Sequence, residues 1–155
     1  MFERFAVYQK ETKPPNHMYP VALPEIEAAE ARMQLKFPSE LRQFFLEAGC
    51  GFWRQGVQDA ECHRFTINRI AGPTDIAGMV CEPDYPTRPC FQLDPGEIPF
   101  FDMGDRDYLL VNALSEQPNQ VLWQDGTLLI GSIVRFIDRL YDHACFYAEH
   151  TGRYD

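Results

Sequence analysis

Three carboxylates lie within six residues of this chain, at Asp102, Asp105 and Asp107. Such a group could bind a hard cation or present negative charge to a basic partner. The spacing does not match a calcium-binding loop, because Gly104 and Arg106 occupy positions that should supply oxygen ligands. The pattern favours a turn in which aspartates accept hydrogen bonds from nearby backbone, with a partner surface and a metal site as the alternatives.

Histidines and cysteines form two further candidate groups. His143, Cys145 and His150 lack both the paired spacing of zinc ligands and an evident fourth ligand. Cys62 and His63 could be a nucleophile and its base, but adjacent residues of a strand point to opposite faces. The sequence therefore indicates no catalytic constellation, and we expect a protein that is not an enzyme and needs no metal or cofactor.

Aromatic residues beside turns are candidates for partner binding, because such side chains dominate binding energy at interfaces. Trp53 follows a glycine turn, and Tyr85 lies in the segment 81–99, which contains five prolines. Core packing is the alternative for each of them. We expect core positions for Phe52 and Trp123 and an exposed position for Tyr85.

Two short helices near the N-terminus must position these groups. The first is predicted to begin at Pro24 and to end at Phe37, because a residue before a proline avoids the α region. The second begins at Pro38 and ends at Gly49 and Gly51, one of which is expected in a left-handed conformation. Apolar residues recur at helical spacing in both: Ile26, Ala29 and Met33, then Leu41, Phe44, Phe45 and Ala48.

The rest of the chain is predicted to form strands, a short helix that begins at Pro73 and a C-terminal closing helix. Asp125-Gly126 is a strong hairpin signal, and Ser132 is the expected N-cap of the closing helix. The segment 81–99 is expected to be irregular and functional. Strands are predicted at four places: 65–70, 108–112, 121–124 and 127–130. Hairpin-linked strands and packed helices indicate an α+β domain with an antiparallel or mixed sheet.

Composition narrows the class of partner. The 155 residues suit one domain, 1–155, and 14 basic against 23 acidic residues give a formal charge of −9. This negative charge disfavours the binding of nucleic acid, whose phosphates it repels, and it favours encounter with a basic partner. The N-terminus does not read as a targeting segment, and no stretch is long and apolar enough for a membrane span. The five cysteines are odd in number and scattered, which argues against a set of disulfides and favours reduced thiols. Because thiols stay reduced in the cytoplasm, we expect a cytoplasmic protein.

The order of elements and several motifs resemble the SUKH superfamily, the domain named for Syd and for yeast cell-wall-synthesis regulators of the Smi/Knr type. The similarity covers about residues 20–142. Phe37 and Cys50 differ from the residues usual in that family. The matching segments are Ile26 and Glu30, Leu35-Lys36-Phe37-Pro38, 44–51, Ile98-Pro99-Phe100-Phe101-Asp102, Gly104-Asp105, Tyr108-Leu109-Leu110-Val111, Val121, Trp123, Ile130, Phe136 and Leu140.

The resemblance implies a protein-binding domain. Bacterial members are mostly immunity proteins that bind and neutralise a toxin, often a nuclease, and other members regulate or scaffold endogenous pathways such as cell-wall synthesis. A small hydrolase or metal-dependent enzyme whose residues converge only in three dimensions is a further alternative. We expect partner contacts from the 81–99 segment, the Asp102–Asp107 turn and an aromatic anchor. These residues are Asp84, Tyr85, Glu97, Asp102, Asp105, Asp107 and Trp53.

Overall fold

The computed structural model describes residues 1–10, 16–54 and 67–149. These residues form helices and strands in the following order: a 3-10 helix (Glu3–Lys10), β1 (His17–Tyr19), α1 (Leu23–Met33), α2 (Ser39–Glu47), β2 (Cys50–Phe52), β3 (Arg69–Ile70), α3 (Pro73–Cys81), β4 (Glu97–Gly104), β5 (Asp107–Asn112), β6 (Val121–Leu122), β7 (Leu128–Ile130), α4 (Ile133–Asp142) and α5 (Phe146–Glu149).

The seven strands form one sheet in sequence order, and every neighbouring pair is antiparallel. The prediction of an α+β fold is confirmed, with the sheet wholly antiparallel among the described residues. The Asp125-Gly126 hairpin is present: the Gly126 N–H donates to the Trp123 carbonyl, and β6 pairs with β7. Ser132 caps α4, since its hydroxyl accepts from the Arg135 N–H at 3.2 Å.

The predicted helix pair is present, but α1 ends earlier than its sequence indicates. It stops at Met33, four residues before Phe37, because Gln34 takes a left-handed conformation with a φ of 56°. The connection to α2 is held by Glu30, whose side chain is 1% exposed. One carboxylate oxygen accepts from the Phe37 N–H at 3.1 Å, and the other lies 3.3 Å from Arg42 Nε.

The two faces of the sheet are different. Successive side chains of a strand point to opposite faces, and directly paired residues share a face. Gly51, Ile70, Phe101 and Leu109 are paired in turn across β2 to β5, so they lie on one face. Phe101 packs on Phe136 of α4 with ring centroids 4.9 Å apart. This face therefore carries the aromatic core beneath α4.

The opposite face carries a row of five residues, four of them polar, which we call the polar row. His17 pairs with Phe52, Phe52 with Arg69, Arg69 with Asp102, and Asp102 with Tyr108. These five residues come from five adjacent strands and share one face. They are less buried than the core face, except for Tyr108, which is 1% exposed. The polar row is the feature that organises the site described below.

Some expectations fall outside the described residues, among them residues 65–66 of the predicted 65–70 strand, the Cys62-His63 pair and His150. Of the described part, 67–70, only Arg69–Ile70 form β3, and the predicted strand starts too early because Asn68 has a positive φ of 47°. Cys50, Cys81 and Cys90 are free, whereas Cys145 is disulfide-bonded, so the expectation of reduced thiols was wrong for Cys145. Cysteine spacing does not reveal which thiols a fold brings within bonding distance. Within the described ranges, no helix is long and apolar enough to cross a membrane.

Candidate functional site

Arg69 is the centre of the polar row. Its Nη1 lies 2.5 Å from Asp75 Oδ2, and its Nη2 lies 3.2 Å from Asp102 Oδ2. The same Nη2 donates to the Tyr108 hydroxyl at 2.9 Å. Burial by itself lowers the pKa of Arg69, but the hydrogen bond to Asp75 and the neighbouring negative groups outweigh burial and raise it. The guanidinium is therefore permanently charged and fixed in place by two carboxylates.

This network fastens the proline-rich segment onto the sheet. The Tyr108 hydroxyl lies 3.0 Å from the Thr87 carbonyl oxygen, and the Thr87 hydroxyl donates to Asp75 Oδ1 at 2.9 Å. Burial and the charge of Asp102 raise the pKa of Tyr108, so it stays protonated over the whole working range. The segment 82–90 thus lies over β4 and β5 in a defined position.

A second set of contacts joins the same segment to the turn between β4 and β5. Arg106 donates from Nε to the Arg88 carbonyl at 2.7 Å, and the Cys90 N–H donates to the Arg106 carbonyl at 3.2 Å. The two regions that the sequence indicates as partner-binding therefore meet in space. We call them together the loop–turn surface, which comprises residues 82–90 and 102–107.

The aspartates of the turn have different roles. Asp102 faces Arg69 and also accepts from the Gly104 N–H at 2.9 Å, the turn function that its sequence predicts. Asp107 is partly buried at the start of β5. Asp105 is exposed and has a φ of 54°, and Asp84 is exposed in the loop. Among the described residues neither Asp84 nor Asp105 makes an ion pair, so both present uncompensated negative charge to solvent.

Three of the proposed partner-binding residues lie elsewhere than expected. Tyr85 is half-buried, because its ring lies against Gly78 of α3, where a Cβ would be 2.1 Å from Tyr85 Cε2. Burial raises the pKa of Tyr85, with a further contribution from its hydrogen bond to Asp75. The expectation of an exposed Tyr85 is therefore wrong, since the proline-flanked loop folds back onto its own helix.

Trp53 and Glu97 lie apart from the loop–turn surface. Trp53 is 4% exposed, and its indole N–H donates to the Leu140 carbonyl at 2.9 Å. Glu97 lies at the opposite end of β4, roughly 20 Å from Gly104 at the usual rise of a strand. There it accepts from the Asp94 N–H at 2.8 Å. Trp53 therefore packs in the core, and the Glu97 side chain holds the turn that precedes β4.

Core positions for Phe52 and Trp123 were also expected: both are half-buried, and Trp123 packs against the core. Sequence reasoning missed Arg69 and Asp75. Their roles come from strand pairing and from the start of α3, and no local motif marks them. No group of three or more His, Cys, Asp or Glu residues that could hold a metal ion occurs in the part of the chain that the structure describes.

Comparison with known proteins gives two results. The sequence model of the SMI1 / KNR4 family (SUKH-1) matches residues 20–139. A protein of Bacillus subtilis (strain 168) named immunity protein YxxD is 26% identical over 141 residues, which cover 86% of this chain and 89% of that protein. No solved structure gives a significant match.

The family match runs from the β1–α1 connection into α4 and so takes in the helix pair, the polar row except His17, and the loop–turn surface. The chain belongs to the SMI1 / KNR4 family (SUKH-1).

Proposed function

We propose that this chain is an immunity protein that binds a cognate toxin of a bacterial polymorphic toxin system, in the cytoplasm, and neutralises it without catalysing a reaction. The observation that carries the proposal is the similarity to immunity protein YxxD along most of both chains. A toxin that acts on nucleic acid, such as a nuclease, is the proposed target, because its substrate channel is basic and this chain has a formal charge of −9.

The loop–turn surface supports this proposal by its construction. Its exposed carboxylates, Asp84 and Asp105, belong to a loop and a turn whose positions are fixed by the hydrogen bonds of the Arg69 network. A preorganised surface loses little conformational entropy on binding, which favours affinity. Uncompensated charge on such a surface accelerates encounter with a basic partner.

The experiment that tests the proposal is affinity purification of the tagged protein from its own cells, read by mass spectrometry. If this chain is an immunity protein, one toxin-like protein should be purified with it at a molar ratio near one to one. Recovery of cell-wall-synthesis proteins instead would contradict the proposal and favour the regulatory role. Purification of the recovered partner then provides the ligand for the measurements below.

Charge reversal at the loop–turn surface is expected to weaken that complex. The double substitution Asp84→Lys and Asp105→Lys should raise the Kd at least tenfold at low salt, because each lysine faces a basic partner with like charge. The matched control is Glu116→Lys with Asp142→Lys, which makes the same charge change at two exposed positions elsewhere. Calorimetric titration at two salt concentrations measures both.

Backbone strain at Asp105 requires a second variant. A lysine at a φ of 54° costs about 1 kcal/mol of stability, whereas asparagine tolerates this conformation. Asp84→Lys with Asp105→Asn should therefore weaken binding without loss of stability. Equal affinities for wild type and both variants would show that the loop–turn surface does not contact the partner.

A further inference from the structure

The edge strand β1 carries a stacked pair of aromatic rings, of which Tyr19 is exposed and His17 is half-buried. His17 and Tyr19 are two residues apart and point to the same face of the sheet. Their rings are stacked, with centroids 4.2 Å apart and an interplanar angle of 19°. Tyr19 remains 49% exposed, although Met18 between them is fully buried. Tyr19, stacked on the half-buried His17, therefore presents an aromatic surface to solvent.

The backbone beneath this pair is fixed by two glycines. A Cβ on Gly49 would lie 1.9 Å from the Tyr19 carbonyl oxygen, and one on Gly51 would lie 2.1 Å from the His17 carbonyl oxygen. Strand β1 thus packs directly against glycine backbone at both positions. An aromatic surface held in this way loses little conformational entropy when a partner binds.

Apolar and acidic residues follow the pair in the chain, at the start of α1. Leu23 is 43% exposed, and Glu25 and Glu27 are exposed in the first turns of α1. Neither glutamate makes an ion pair among the described residues. Aromatic rings beside carboxylates are the environment in which an arginine or lysine side chain binds well, through cation–π and charge interactions.

Negative side-chain charge lies near Cys50 at this end of the sheet. Cys50 is the direct strand partner of Tyr19. Burial raises the pKa of Cys50 to about 11, and the charges of Glu25 and Asp75 raise it further against the opposing effect of Arg69. The positive charge of Arg69 is already matched by its two carboxylates. A cation approaching Tyr19 is therefore attracted.

We propose that His17, Tyr19, Leu23 and Glu25, which we call the β1 face, form the docking site for a basic segment of a protein partner. An arginine or lysine side chain of that segment lies on the Tyr19 ring and faces Glu25. The inference rests on the proposed function for the identity of the partner. The polar row links the β1 face to the loop–turn surface on the same side of the sheet, so one basic partner can contact both.

Single substitutions at Tyr19 test the docking site against the purified partner. Tyr19→Ala should raise the Kd at least tenfold, and Tyr19→Phe should keep it within threefold, because phenylalanine retains the aromatic face. Leu114→Ala, at a 66% exposed apolar residue outside the β1 face, is the matched control and should have no effect. Urea titration of each variant establishes that it is folded.

The outcomes separate the docking site from the proposed function. If wild type binds the toxin and Tyr19→Ala binds equally well, the β1 face is not the docking site, while the proposed function stands. If wild type does not bind, the proposed function fails, and a partner-independent measurement then decides on the β1 face.

That measurement is an NMR titration with the capped peptide Gly-Arg-Gly-Arg-Gly and its glutamate counterpart. The arginine peptide should shift the backbone amide resonances of the non-proline residues in 17–25, with a smaller shift in Tyr19→Ala, and the glutamate peptide should not. Shifts concentrated near Asp84 and Asp105, or equal shifts with both peptides, would overturn the proposal. So would shifts of residues 17–25 that depend on protein concentration alone, since they would identify a second copy of this chain as the occupant.

Discussion

Replacing Asn68 with alanine is expected to lower the free energy of unfolding by about 3–5 kcal/mol. Asn68 is fully buried between β3 and the C-terminal helices. Its Nδ2 donates to the Ala144 carbonyl at 2.7 Å, and its Oδ1 accepts from the Tyr147 hydroxyl at 2.6 Å. Alanine removes both bonds and also disfavours the φ of 47° at this position. Such a loss is a large part of the stability of an ordinary domain.

Asn68→Gly separates the two contributions. Glycine loses the same side-chain hydrogen bonds but adopts a positive φ without strain, so it should be about 1 kcal/mol more stable than the alanine variant. Urea unfolding followed by tryptophan fluorescence measures both variants. A loss below 1 kcal/mol for Asn68→Ala would show that these bonds do not hold the C-terminal helices on the sheet.

Gly51→Ala is the second substitution with a large expected effect, about 3 kcal/mol or more of unfolding free energy. The added Cβ would lie 2.1 Å from the His17 carbonyl oxygen, at a φ of 145°. Strand β1 must then move away from β2, which breaks a pairing of only three residues on each strand. The substitution should also weaken partner binding, because it displaces His17 and Tyr19.

Two other glycines provide controls for Gly51→Ala. Gly126 has a φ of 84° but no atom within 4 Å of the added Cβ, so Gly126→Ala should cost only the strain, about 1 kcal/mol. Gly131 has neither constraint, and its substitution should be close to neutral. If Gly51→Ala is no more destabilising than Gly126→Ala, the close approach of β1 to β2 does not contribute to stability.

The elements that the sequence predicted are those with local signals. The Asp125-Gly126 hairpin and the Ser132 cap depend on residues within a few positions of one another, and both are confirmed. The helix pair follows from apolar spacing, although its first boundary was misplaced. The left-handed Gln34 that ends α1 was not foreseen, because the Phe37-Pro38 pair further along gave the stronger stop signal.

The site was harder to predict, because it is built from residues that are distant in the chain. The ion pair from Arg69 to Asp102 spans 33 positions, and the bond from Asn68 to Ala144 spans 76. Strand register creates the polar row, and no local pattern specifies that register across five strands. The exposure of Tyr85 and the surface role of Trp53 were inferred from neighbouring glycines and prolines, which report on turns and not on burial.

His17 and Tyr19 also escaped notice, although a usable signal was present. Two aromatic residues separated by one apolar residue form an alternating pattern, which predicts a shared face on a strand. The stretch is only three residues long, and its pairing with the glycine-rich strand β2 shows its role only once the fold is known.

The proposed neutralisation is tested most directly by measuring how this protein affects the activity of the toxin domain that is purified with it. Purified toxin domain is titrated with wild-type protein, and both complex formation and toxin activity are followed. We expect a tight one-to-one complex in which toxin activity falls in proportion to the fraction of toxin bound, and we expect the variants Asp84→Lys/Asp105→Lys and Tyr19→Ala to require higher concentrations for the same inhibition. Full toxin activity in the presence of saturating wild-type protein would contradict it.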